Sequence, residues 1–77
     1  QPGDSRQLAD LFEQCVAALG KPLDALTKGD RLKVVALLRE RSAFSYRKSV
    51  PYVAGRLGVS RYTIYKYLEE VGEDERR

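Results

Sequence analysis

Seventy-seven residues make one small domain, and a domain that short buries only about 60% of the surface its unfolded chain exposes. The absence of His excludes imidazole acid–base catalysis and most zinc sites, and a lone Cys excludes an intrachain disulfide framework. The net charge of +3 conceals ten basic against two acidic residues over 28–68, set between flanks of −2 (1–27) and −3 (69–77), and such a block suits a polyanionic partner.

No apolar run approaches the ~20 residues that span a bilayer and no signal peptide is visible, so a soluble, cytoplasmic module without a membrane partner is expected. With no Met and an opening Gln1-Pro2-Gly3-Asp4, the chain reads as a piece of something longer.

In chain order, Asp4 and Ser5 are N-cap candidates. Leu8, Leu11, Phe12, Cys15, Val16 and Leu19 form one wide helical stripe, which predicts a first helix over about 5–19. Gly20 is its stop residue, and Pro22 bars continuation. Cys15 lies inside the stripe, so a packed thiol is expected. Residues 20–26 are a linker anchored by Leu23 and Leu26. Thr27-Lys28-Gly29-Asp30 has the form of a capping box, with Asp in place of Glu, and opens a second helix over about 28–42. Leu32, Val35, Ala36 and Leu38 face inward, Val34 and Leu37 widen that stripe, and Arg31, Lys33, Arg39 and Arg41 occupy the other face. Phe44 is expected to be a buried plug in the segment 43–46.

Pro51 lacks an amide donor and belongs in the first turn of a third helix, about 49–57, with Ser49 as its N-cap and Gly58 as its stop. Ser60 caps a fourth helix, about 60–70. Gly72 and the acidic run that follows read as a frayed tail. The expectation is an all-α, four-helix domain: an N-terminal helix and linker (1–27), a DNA-binding core (28–71) and a flexible tail (72–77).

The stretch Val50–Leu68 has the spacing of a helix-turn-helix. Ala54 is small where two helices cross, Gly58 tolerates the positive φ of a tight turn, and Val59 anchors it. Val53, Leu57, Ile64 and Leu68 face the core. Ser60, Arg61, Tyr62, Thr63, Tyr65 and Lys66 are then left on the N-terminal and outer surface of the last helix, where a major-groove reader needs them. Arg61 suits guanine, the Tyr rings suit thymine methyls or phosphate, Lys66 suits phosphate or guanine, and Ser60 and Thr63 suit phosphate. Arg47 and Lys48 precede the third helix, where entering chain runs beside the DNA backbone.

Gly58–Leu68 resembles the recognition-helix block of tetracycline-repressor-type proteins. The longer run is more similar to the C-terminal domain of YheO-like bacterial regulators, the family of the D-arginine utilisation repressor. Arg31–Val35, Leu38, Phe44, Val50, Tyr52–Ala54, Leu57–Arg61, Tyr65 and Tyr67-Leu68 carry that similarity, over about 28–71. Pro51 and Ser49 depart from the family pattern, away from the reading face. The resemblance implies a repressor whose PAS-like sensor domain, absent here, binds any effector.

Five tyrosines raise the chemistry of strand-cleaving recombinases, but that chemistry needs His or further Arg and Lys around the phosphate. No catalytic residue, metal or cofactor is therefore expected. Tyr52 and Tyr67 are read as half-buried core, and Glu69 and Glu70 either as marking a side turned away from DNA or as part of a plain solubilising tail. The expected function is sequence-specific binding of double-stranded DNA in transcription control; the stripe of the first helix reads most simply as core, and its pairing with a second copy in a two-fold homodimer is the alternative. The alternatives are the DNA-binding arm of a recombinase or transposase, and a helical protein-interaction module.

Overall fold

A computed structural model describes residues 2–75, with side chains over 6–72. Its elements are α1 (Pro2–Leu19), α2 (Lys28–Glu40), α3 (Ser49–Leu57) and α4 (Arg61–Glu75), with 3-10 turns at Leu23–Ala25 and Ala43–Ser45. No strand occurs among the described residues, so the all-α expectation holds. The domain measures 36 × 26 × 21 Å.

α2 is the central element, packing on α1 along one side and on α4 along the other, while α3 packs on α4. Val34, Val35 and Leu38 of α2 are fully buried, and they meet Phe12 and Cys15 of α1, Val53 of α3 and Ile64 of α4 in one core. Each such aliphatic or aromatic side chain contributes about 1.5–3 kcal/mol by leaving water. Val34 is thus core rather than a widening position, while Leu32, Ala36 and Leu37 are half-buried. Burial pushes the Cys15 thiol pKa up, and the group is packed inside as expected.

The linker is pinned to α2 by charge. Thr27 Oγ1 accepts from the Asp30 amide (3.2 Å) and Asp30 Oδ2 accepts from the Thr27 amide (3.1 Å), the reciprocal bonds of a capping box. Lys21 Nζ donates to the same Asp30 oxygen at 2.9 Å. The lysine bond and the Thr27 amide pull the Asp30 carboxyl from its ordinary 3.8 to about 2.

Several boundaries differ from the sequence expectation. α1 begins at Pro2, whose fixed φ suits a first helical position, so Asp4 and Ser5 lie inside the helix rather than at its cap. α2 stops at Glu40 instead of 42, because Ser42 turns left-handed (φ 60°). Phe44 is only half-buried, and its neighbour Ala43 is the fully buried residue of that turn. Lys48, also left-handed (φ 59°), is the N-cap of α3, while Ser49 is its buried first helical residue. α4 starts at Arg61 and runs through Gly72 to Glu75, held by the buried Val71 rather than fraying at 70. Gln1, Arg76 and Arg77, the last two part of the expected tail, lie outside the described residues.

Candidate nucleic-acid interface

α3, a three-residue turn and α4 form the expected motif. Gly58 ends α3 in the left-handed region (φ 73°), and both its amide and that of Val59 donate to the Ala54 carbonyl, the latter at 3.0 Å. Ala54 itself is buried, which lets the two helices meet closely. Ser60 Oγ accepts from the Thr63 amide at 3.1 Å and lies 3.0 Å from the Thr63 hydroxyl. Ser60 is therefore the N-cap of α4, as its sequence position implied.

At about 100° per residue, positions 61, 62, 65, 66 and 69 share one arc of α4, while Ile64, Tyr67, Leu68 and Val71 share the opposite one. Burial follows those arcs. Ile64, Tyr67 and Val71 are buried, whereas Arg61, Tyr62, Tyr65, Lys66 and Glu69 are exposed. Tyr62 and Tyr65 are 71% and 56% exposed, the large apolar side chains most open to water among the described residues. Lys66 Nζ stands 5.8 Å from the centre of the Tyr62 ring, a cation–π pairing one helical turn apart. Thr63 sits at the edge of the arc, half-buried and engaged with Ser60. Glu69 shares the exposed arc rather than lying away from it, so the face runs from basic and aromatic to acidic along the helix axis. Arg47 and Lys48 are both exposed at the entry to α3.

The remaining tyrosines have structural work. Tyr67 is 5% exposed and its hydroxyl accepts from Arg31 Nε at 3.2 Å, while Arg31 Nη1 donates to the Leu26 carbonyl at 3.2 Å. Arg31, expected on the face of α2 opposite the core, is thus half-buried and spans α2 and α4. Tyr52 packs edge-on to Phe12 (centroids 6.0 Å apart). Arg56 caps that pair, donating to Glu13 Oε2 (2.6 Å) and Tyr52 Oη (2.7 Å) with its guanidinium 4.7 Å from the Phe12 ring centre. The Glu13 hydrogen bond raises the Arg56 pKa further, and the cation ties α3 to α1. Arg41 donates to Gln14 of α1 at 2.8 Å. Arg31, Arg41 and Arg56 are therefore engaged within the fold.

One residue that the sequence did not single out joins the face. Lys28, at the start of α2, lines a shallow cleft with Tyr62, Thr63, Lys66, Tyr67 and Glu70. Only the α2–α4 packing brings it there, and no local spacing could have shown it.

The HTH domain family model matches residues 7–69. This chain belongs to the HTH domain family. The match takes in most of α1 as well as the helix-turn-helix, so the N-terminal helix is part of the HTH domain. An HTH domain is a DNA-binding fold, and its recognition helix enters the major groove; α4 is the second helix of this one. No curated protein and no solved structure matches the chain. Among the described residues, no three His, Cys, Asp or Glu side chains group as metal ligands, and no helix is long and apolar enough to cross a membrane.

Proposed function

We propose that this HTH domain is the DNA-binding part of a YheO-like transcriptional repressor that reads a specific duplex through α4. The observation that carries the reading is the exposed basic and aromatic arc on the recognition helix of a family-matched motif. Arg61, Tyr62, Tyr65 and Lys66 face the base edges, with Ser60 and Thr63 at the phosphates beside the helix N-terminus. Arg47 and Lys48 at the entry to α3, and Lys28 from α2, hold the sugar-phosphate backbone. The repressor role and a sensor domain elsewhere in a longer chain follow from the YheO-like resemblance. Two copies on half-sites about one duplex turn apart complete the arrangement.

The test is duplex affinity measured against salt. Each neutralised phosphate contributes about 0.9 to the slope of log K against log salt, so Lys28, Arg47 and Lys48 together give a slope of about −3 per domain. Arg61→Ala costs about 1–3 kcal/mol at the guanine it reads and relaxes preference there. Absence of salt-dependent duplex binding contradicts the proposal and favours a protein-interaction role.

A further inference from the structure

Residues 28–75 contain no Asn, Gln or His. In the major groove adenine is read by the bidentate amide of Asn or Gln, guanine by Arg or Lys, and cytosine by an acceptor carboxylate. The exposed arc of α4 therefore lacks the usual adenine partner. It has two guanine partners, Arg61 and Lys66, and beside them the open rings of Tyr62 and Tyr65. The apolar feature that a base pair displays in this groove is the thymine 5-methyl group. The Lys66 ammonium stands over the Tyr62 ring, so the guanine partner and the ring lie side by side on that arc.

We infer that Tyr62 and Tyr65 read thymine 5-methyl groups, so the preferred duplex is specified by methyls and guanines and its A·T pairs are recognised from the thymine strand. The inference rests on the groove reading above and adds the chemical class of base that the site takes. Tyrosine hydroxyls on phosphate would use the same residues without sensing a methyl, and that difference is measurable. Burial of one methyl corresponds to about fourfold in affinity.

The experiment starts from duplexes that the 77-residue chain selects from a random pool. Each thymine of the selected site is then replaced by deoxyuridine, which removes the 5-methyl alone. The expected result is a loss of about fourfold at one or more thymines. That loss disappears in Tyr62→Ala or Tyr65→Ala and survives in Tyr62→Phe and Tyr65→Phe. Both residues are exposed, so thermal melting should match the parent and separates lost contact from lost fold. Full affinity with deoxyuridine at every position overturns the inference. So does a selected site without thymine, or a Phe variant as weak as its Ala counterpart. Failure to select or bind any duplex defeats the groove reading itself and takes this inference with it. Binding without methyl dependence leaves the groove reading intact and rejects only the inference.

Discussion

Gly58 and Lys48 adopt nearly the same left-handed backbone, at φ 73° and 59°, but they respond differently to substitution. An added Cβ at Gly58 meets nothing within 4 Å, so the cost of a side chain there is backbone strain alone. Gly58→Val therefore lowers stability by about 1–2 kcal/mol, readable as an earlier urea midpoint. At Lys48 that strain is already present. Lys48→Gly relieves it while giving the unfolded chain more freedom, and the two effects offset. Melting of Lys48→Gly should stay close to the parent while duplex affinity and the salt slope fall. A parallel loss of stability and affinity would mean that Lys48 serves the fold rather than a phosphate. Lys28 gives a cleaner test because it is exposed and no ion pair holds it among the described residues. Lys28→Gln should weaken every duplex by a similar factor and reduce the slope by about 0.9, with sequence preference unchanged.

At the scale of elements, two devices fasten α2, one to the linker and one to α4. The first is the α2 cap. The folded carboxyl of Asp30 titrates at about 2 against an ordinary 3.8. The unfolded chain therefore binds its proton first as pH falls, and the stabilisation is complete above about pH 4 and lost on the way down to about pH 2. Asp30→Asn should flatten the fall in melting temperature across that window. An unchanged acid limb would show that the Lys21–Asp30–Thr27 cluster adds no pH dependence. The second device is the Arg31–Tyr67 bond. Tyr67→Phe leaves Arg31 Nε without its α4 partner and should cost about 1–3 kcal/mol of stability. The salt slope should not change, because neither group is placed on a phosphate.

Which elements were legible in advance follows from where the information lies. The α3 bounds, the Gly20 and Gly58 stops, the capping box and the Ser60 cap are written in local chemistry, and all match. The left-handed Ser42 and Lys48 were not legible, since neither is a residue type that announces positive φ. The extension of α4 past Gly72 was missed because the buried Val71 outweighs a weak helix former. In the candidate site, the exposed α4 residues follow from helical periodicity. Arg31 and Lys28 do not, because the Tyr67 hydroxyl that holds Arg31 is 36 residues away and the cleft that Lys28 lines is formed by α4.

Across the whole molecule, eight of the ten basic residues of 28–68 fall into two sets. Arg31, Arg41 and Arg56 bond within the fold, and the last two hold α1 against α2 and α3. Lys28, Arg47, Lys48, Arg61 and Lys66 are exposed, and in the proposed complex they surround one reading face. α1 contributes core through Leu8, Phe12, Cys15 and Val16, and its exposed face sets the acids Asp10 and Glu13, which repel a phosphate backbone, against the single cation Arg6. In the proposed complex, the acidic residues beyond Lys66 repel phosphates and leave contact to the N-terminal half of α4. Duplex binding in the proposed complex therefore has a direction, with the first two turns of α4 inward and α1 outward.

Amide chemical shifts of the isotope-labelled chain, followed as a duplex is added, test that direction most directly. The account predicts shifts concentrated at 60–66, with smaller ones at 47–48 and around Lys28, and little change along the outer face of α1. Shifts centred on α1 with 60–66 undisturbed would contradict it.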